Sequence, residues 1–154
     1  MYDRFAGGRE RALRVLERSV GEPGNASSAE TIWVVELDGQ LAGAMAAFPV
    51  DEAGDRSRAF LSVVLRGSPP WCWPTSLYLY WAGGRAAPSP PASAFYIDAL
   101  ATDPVFRRRG AARALLAQAE REARKRHLPA IALDTTIDNT SCLLYTSPSP
   151  RDRS

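Results

Sequence analysis

Residues 100–112 read LATDPVFRRRGAA, and this stretch decides the fold. It leads from a mostly apolar segment into apolar residues spaced three and four apart, a pattern that predicts a helix from about Gly110 to Arg126. The sequence AIALDTT at 130–136 predicts the strand that follows. A strand, a helix and a strand at this spacing form a βαβ unit, so we expect two parallel strands joined by the helix.

The turn that opens this helix has the features of an anion site. The first backbone N–H groups of a helix have no intrahelical partner, and the helix dipole makes this end positive. Gly110 has no Cβ, so a phosphate could approach the backbone closely. An exposed helix end contributes only about 0.3–1 kcal/mol toward an anion, so Arg108 and Arg109 would have to add charge-assisted hydrogen bonds. The alternative, a basic helix start that binds nothing, is disfavoured because arginines suit the helix dipole poorly at this end.

A β-hairpin is predicted earlier in the chain. The sequence TIWVVEL at 31–37 is rich in β-branched and aromatic residues, and 41–48 resumes as a second strand. Between them, Asp38-Gly39 is a pair that can adopt the positive φ angles of a tight turn. Gly43 in the second strand indicates a bulge or a close backbone approach.

Asp98 interrupts the apolar segment that precedes the arginine-rich turn. Residues 94–101 are otherwise apolar, which predicts a central strand buried on both faces. A charged side chain inside such a strand requires an ionic or hydrogen-bonding partner or a functional role, so Asp98 is a candidate functional residue. Tyr96 is better explained as part of the core.

The remaining segments are less informative. Leu13, Leu16 and Val20 fall on one face of a predicted opening helix. Residues 51–93 form the least regular stretch, with a short buried helix over 59–65 and prolines that exclude longer elements through them. The aromatic residues of this insert could form a flap or pocket wall, but a satellite cluster under a long loop is the simpler interpretation.

Composition excludes several classes of protein. The chain has 154 residues, 45% of them hydrophobic and 23% charged, which fits one globular domain rather than a disordered or fibrous protein. Two cysteines and one histidine make a poor zinc site, so we expect no metal. No apolar run is long enough to cross a bilayer and no apolar leader opens the chain, so we expect a cytoplasmic protein without a membrane partner.

Basic charge is concentrated in one part of the chain. Residues 100–127 contain eight Arg or Lys against three Asp or Glu, a surplus of five in a chain whose formal net charge is +2. A non-catalytic basic module that binds nucleic acid or another polyanion is therefore a competing hypothesis. We do not expect nucleic acid as a partner, because no RNA-binding aromatic motif accompanies the arginines. A dinucleotide site is disfavoured since Gly-x-Gly-x-x-Gly is absent.

The motif Arg107-x-x-Gly110-x-Ala112 resembles the Arg/Gln-x-x-Gly-x-Gly/Ala motif of the GNAT superfamily of acyl-CoA N-acyltransferases. It stands between a strand and a helix, as it does in that family. The preceding LATDP at 100–104 is similar to the family's usual lead-in, with Thr102 in place of the common valine. The resemblance covers about residues 31–48 and 95–139. It implies an α/β (α+β) fold with a mixed, mostly antiparallel central sheet flanked by helices.

The same resemblance implies an N-acetyltransferase with acetyl-CoA as co-substrate. An amine would attack the thioester directly in a ternary complex, and the acceptor would be a small-molecule amine or a protein amino group. The pyrophosphate would rest on the helix-opening turn, and the pantetheine arm would pair with the backbone of the preceding strand. The residues that would bind acetyl-CoA are Leu100, Ala101, Thr102, Arg107, Arg108, Arg109, Gly110, Ala111, Ala112 and Asn139.

Such a reaction needs a group that takes the proton of the amine. A lysine-like amine with a pKa of about 10.4 is uncharged in only about one part in 2,500 at pH 7, a cost of about 4.6 kcal/mol. A carboxylate or a water chain must therefore accept the proton. Asp98 is the first candidate for this catalytic role and Asp134 the second. The alternative for each is a solvated or salt-bridged acid near a strand end.

The end of the chain departs from the family pattern. Residues 140–154, TSCLLYTSPSPRDRS, contain no Gly-Phe, and Tyr145 lies one residue too early for the family's tyrosine. The Ser/Pro/Arg-rich run predicts a disordered tail, and it resembles a translated adapter fused to a truncated reading frame. We expect one incomplete domain over 1–140 that lacks C-terminal strands, and a non-native tail over 141–154. An inactive CoA-binding fragment is then an alternative to an active enzyme, and two copies could pair as a homodimer.

Overall fold

The computed structural model of the protein describes residues 7–86 and 90–133. The elements are α1 Arg9–Gly21, β1 Ile32–Leu37, β2 Gln40–Pro49, α2 Val50–Gly67, α3 Trp73–Ala86, β3 Ala94–Thr102, α4 Ala111–Lys125 and β4 Ala130–Leu133, with 3-10 helices at Ala29–Thr31, Pro70–Cys72 and Pro104–Phe106. The strands form one sheet in the order β1-β2-β3-β4. The first two pairings are antiparallel and β3 pairs with β4 in parallel. The predicted mixed, mostly antiparallel sheet and its βαβ unit are confirmed.

The two faces of the sheet are covered by different helices. On one face Leu115, Ala119 and Ala123 of α4 pack against a buried cluster that includes Phe95 and Ile97 of β3. On the other face the guanidinium of Arg56, from α2, lies 5.9 Å from the centre of the Phe48 ring. The main core is thus formed between the sheet and the helix that the arginine-rich turn opens.

The predicted hairpin is confirmed in detail. Asp38 and Gly39 have φ angles of 54° and 71°, the left-handed pair of a tight two-residue turn. Val35 pairs with Gly43 and Glu36 with Leu41, so β2 has a bulge between these pairs. A Cβ added to Gly43 would stand 2.8 Å from the carbonyl oxygen of a neighbouring strand residue. The bulge and the close approach that this glycine indicated are therefore both present.

The predicted apolar face of α1 is wrong. The buried residues of this helix are Ala12, Val15 and Ser19, whereas Leu13 is 56% exposed. A Cβ added to Gly67 of α2 would stand 2.8 Å from the side chain of Val15, so the two helices are in close contact there. Small residues permit this close packing of α1 against α2. The larger apolar residues of α1, such as Leu13, therefore remain partly exposed to solvent.

The stretch 51–93 is more regular than the sequence predicts. It contains most of α2, which has 18 residues, and all of α3, which has 14. Pro49 immediately precedes α2, Pro70 opens a 3-10 turn, and Pro74 stands in the first turn of α3. Proline is tolerated there because the first N–H groups of a helix have no acceptor to lose. These three prolines thus mark the starts of helices.

Glu122 is buried, although the helical pattern predicts it on the solvent side of α4. It is 9% exposed, and its carboxylate accepts hydrogen bonds from Gln118 at 3.0 Å, from Lys125 at 2.9 Å and from Arg126. The hydrogen bonds from Lys125 and then Arg126 lower the pKa of Glu122 below its ordinary value of 4.5, against the opposing effect of burial. The guanidinium of Arg126 also lies 5.3 Å from the centre of the Phe95 ring, which links this network to the core.

We expect Glu122→Gln to lower the stability of the fold by about 1 kcal/mol at pH 7, or about 2–4 °C in Tm, because charge-assisted hydrogen bonds are lost. Since the folded state lowers the pKa of Glu122, its contribution is present above pH 4.5 and is lost as the pH falls through the folded value. Thermal melts between pH 7 and pH 3 should therefore show the two proteins converging below about pH 4.5. Glu120→Gln is the matched control, because its pair with Arg124 at 3.5 Å is exposed. A gap that stays constant with pH would contradict this prediction.

Candidate functional site

β3 changes character halfway along its length. Ala94, Phe95 and Ile97 are buried, whereas Asp98, Ala99 and Ala101 are exposed. The predicted strand with two buried faces is therefore right only for its first half. Within residues 7–86 and 90–133, the pairing with β4 ends at Ile97 and Leu133. Beyond that point no described strand pairs with this edge of β3.

Asp98 stands at a β-bulge. Ala47 pairs with Ile97 and Ala46 pairs with Ala99, so Asp98 is an extra residue on β3. Ile97 and Leu100 both pack on the core under α4, although they are three residues apart, because the bulge resets the alternation. Bulges redirect side chains and occur often beside active sites. The bulge accounts for an exposed carboxylate at the middle of a central strand.

The segment from β3 to α4 is fastened to the hairpin. The amide of Asp103 donates to the carbonyl oxygen of Ala42 at 2.9 Å, and its carboxylate accepts from the amide of Val105 at 2.8 Å. Phe106 is buried in a small cluster with Ala42 and Ala111. The turn therefore has a fixed position relative to β2, which a binding site on its backbone requires.

The start of α4 is open and uncapped. Arg108 and Gly110 have left-handed φ angles of 62° and 87°, and no side chain of residues 7–86 or 90–133 caps the helix. The first backbone bond of the helix runs from the amide of Ala114 to the carbonyl of Gly110 at 3.0 Å. In the described part of the chain the three amides before it have no hydrogen-bond acceptor. A Cβ added to Gly110 would meet no heavy atom within 4 Å, so the space before the turn is open.

The three arginines of the turn differ in their surroundings. Arg107 and Arg108 are exposed, whereas the guanidinium of Arg109 donates to the carboxylate of Asp38 at 2.7 Å and lies 5.5 Å from the centre of the Phe106 ring. The amides of Arg107 and Arg109 are also used, since each donates to a backbone carbonyl at 3.4 Å. Among the described residues neither the amide nor the side chain of Arg108 has a hydrogen-bond partner, so both are available for a ligand.

Two residues near the turn were not among the predicted site residues. Asp38 holds the side chain of Arg109, and no sequence pattern indicates a pair separated by 71 positions. Arg113 is exposed and contributes the third amide of the uncapped helix start. Counting three positions into the predicted helix could have identified it, because the first three N–H groups all lack partners.

The predicted binding residues from Leu100 to Ala112 lie along β3 and the turn that follows it. Asp98 precedes Thr102 by four residues, or about 13 Å at the rise of a strand. Asp134 and Asn139 lie outside the described residues. Over the described ranges, no group of His, Cys, Asp and Glu could hold a metal ion, and no helix is both long and apolar enough to span a bilayer.

The fold is similar to those of solved acetyltransferases. One crystal structure of an acetyltransferase has 19% sequence identity and a TM-score of 0.64, over 91% of this chain and 70% of that chain. An N-acetyltransferase from Staphylococcus aureus Mu50 has 20% identity and a TM-score of 0.68, over 90% of this chain and 70% of that chain. Curated proteins gave no match. The family model for the GNAT acetyltransferases matches residues 8–146. The chain therefore belongs to the acetyltransferase (GNAT) family.

Proposed function

We propose that this chain is an N-acetyltransferase that moves an acetyl group from acetyl-CoA to a primary amine, by direct attack in a ternary complex. The observation that supports it most is the uncapped start of α4, which follows the exposed Gly110 and lies beside exposed arginines. Membership of an acetyltransferase family supports the reaction class.

The helix start fits a diphosphate. The amides of Ala111, Ala112 and Arg113 would donate to phosphate oxygens, and the open space at Gly110 would admit them. Successive N–H groups beside left-handed residues form a concave anion site. Arg108 would add a charge-assisted bond, whereas Arg109 would orient the turn through its pair with Asp38.

The second half of β3 fits an extended, amide-containing chain. Among the described strands none pairs with the edge formed by residues 98–102 on the side of β4. A pantetheine arm would therefore bond to the backbone of Leu100, Ala101 and Thr102 as an added strand does. Asn139 remains a proposed contact at the far end of the ligand. Bound acetyl-CoA would supply the acyl group as a thioester.

Asp98 is the proposed base. As the nitrogen of the amine bonds the acyl carbon and the carbon–sulfur bond breaks, the carboxylate would take the proton that the amine loses. The thiolate that leaves would be protonated from solvent. The exposed position of Asp98 on the bulge supports this role, because the thioester arm would lie along the same edge of β3. Asp134 remains the second candidate, and the acceptor would be a small-molecule amine or a protein amino group in the cytoplasm.

Calorimetry with acetyl-CoA, followed by thiol-release assays on a panel of primary amines, tests the proposal. We expect saturable binding of one acetyl-CoA per chain, and amine-dependent release of CoA thiol. Arg108→Ala should weaken binding more than Arg109→Ala, because the side chain of Arg109 is already paired. Binding without thiol release on any amine would reduce the function to CoA binding. Absence of acetyl-CoA binding by folded protein, with salt-sensitive binding of polyanions instead, would overturn the proposal.

A further inference from the structure

An aromatic surface lies on α3 and the 3-10 turn before it, in the segment between β2 and β3. Its large side chains are between 41% and 77% exposed. They are Trp71, Trp73, Leu77, Tyr78, Tyr80 and Trp81. Single exposed apolar residues are ordinary on a protein surface, but a contiguous group of this size marks an interaction site. We call these six residues the aromatic face.

Helical spacing brings the members of the aromatic face together. Positions 73, 77, 80 and 81 follow one another at intervals of four, three and one, so they lie on the same side of α3. The side of the helix that meets the protein is different. It includes the buried Ser76, whose hydroxyl donates to the carbonyl of Cys72 at 3.0 Å, and Leu79, which packs against the cluster between α1 and α2. The aromatic face is thus the outer side of a docked helix.

Two of its tryptophans are held in place. The indole N–H of Trp73 donates to the carbonyl oxygens of Leu65 at 3.0 Å and Ser68 at 3.2 Å, at the end of α2. The guanidinium of Arg85 lies 4.7 Å from the centre of the Trp81 ring. A surface whose side chains are already ordered loses less conformational entropy on association.

The composition of this segment favours a protein partner over a lipid surface. Residues 67–84 contain no charged side chain, although 23% of the whole chain is charged. Interface centres are depleted in charge and enriched in Trp, Tyr and Arg. Helices that bind membranes combine an apolar face with a polar face rich in Lys or Arg, and α3 has one basic residue, Arg85, which stacks on Trp81.

The aromatic face supplies most of the area that each partner contributes to a standard homodimer interface. At about 150–250 Å² for a whole aromatic side chain, the exposed fractions of its five aromatic residues amount to about 600 Å². A standard interface buries about 800 Å² on each partner. A surface without charge also meets its own copy across a two-fold axis without like-charge repulsion. We propose that two copies of this chain associate through the aromatic face.

Sedimentation equilibrium and light scattering from 1 to 100 µM protein test the proposal. We expect the wild-type chain to form a dimer. The double variant Trp71→Ser/Trp81→Glu should raise the dissociation constant of this dimer more than about 30-fold, because tryptophans at interface centres contribute strongly to affinity. Tyr78→Arg provides a second variant of the same face. Dimerisation should vary little between 50 and 500 mM salt, since the face lacks charge. Three of the four tryptophans lie on the face, so their fluorescence should shift to shorter wavelength on association.

Leu13→Glu is the matched control, because Leu13 is also an exposed apolar residue on a helix but lies outside the aromatic face. It should leave the dimer intact. Circular dichroism should be unchanged in all variants, since each replaces an exposed side chain. A wild-type chain that is monomeric at 100 µM, or a dimer that survives both face variants, would overturn the proposal. Tryptophan-dependent binding of a monomer to phosphatidylcholine/phosphatidylglycerol vesicles would instead assign the face to lipid and overturn it too.

Discussion

Gly110→Asp is expected to weaken acetyl-CoA binding by at least about 100-fold, or about 2.7 kcal/mol. Gly110 has a φ of 87°, and a side chain in the left-handed region costs about 1–2 kcal/mol. The new carboxylate would also stand at the helix start where the diphosphate is proposed to bind, and would repel it. Calorimetric titration with acetyl-CoA measures the loss.

A matched pair of alanine variants separates backbone strain from site chemistry. Gly24 has a φ of 78°, and a Cβ added there, as at Gly110, would meet no heavy atom within 4 Å. Gly24→Ala and Gly110→Ala should therefore lose similar stability, while only the second reduces affinity for acetyl-CoA. If Gly110→Asp binds acetyl-CoA as tightly as the wild type, the start of α4 is not the diphosphate site.

The parts of the fold that the sequence predicts correctly are those encoded locally. Asp38-Gly39 specifies its turn through two left-handed φ angles, and the apolar spacing of α4 specifies the helix and the core beneath it. The wrong face of α1 has a tertiary origin, because close packing against Gly67 selects small residues over leucines. Within 51–93 the sequence predicted only a short helix over 59–65, whereas α2 has 18 residues. The helix α3 was missed because Pro74 stands in its first turn, where proline is compatible with a helix.

In the candidate site, too, the features encoded locally were predictable and those that depend on tertiary packing were not. The uncapped helix start follows from Gly110 and the residues around it, and it was predictable. The different roles of Arg108 and Arg109 could not be predicted, because Asp38 contacts Arg109 only once the hairpin and the turn are packed together. The bulge at Asp98 likewise depends on how β3 pairs with β2. The roles of Asp134 and Asn139 stay predictions.

Asp98→Asn is expected to lower kcat at pH 7 by about 10²–10⁴-fold, the usual contribution of a general base. The affinity for acetyl-CoA should change by less than about two-fold, because asparagine keeps the shape of the side chain and the proposed ligand contacts lie on the backbone beyond it. Steady-state kinetics with a lysine-like amine and calorimetry with acetyl-CoA measure the two effects separately.

The pH dependence distinguishes a base from a structural carboxylate. An amine with a pKa of about 10.4 is neutral in about one part in 2,500 at pH 7 but in more than a quarter of molecules at pH 10. A variant that lacks the base should therefore recover toward the wild-type rate as the pH rises, whereas a misfolded site would not. Asp55→Asn is the control, since Asp55 is an exposed carboxylate on α2 that pairs with Arg58. If Asp98→Asn keeps its wild-type kcat at pH 7, proton removal belongs to another group, and Asp134→Asn becomes the variant that must show this recovery with pH.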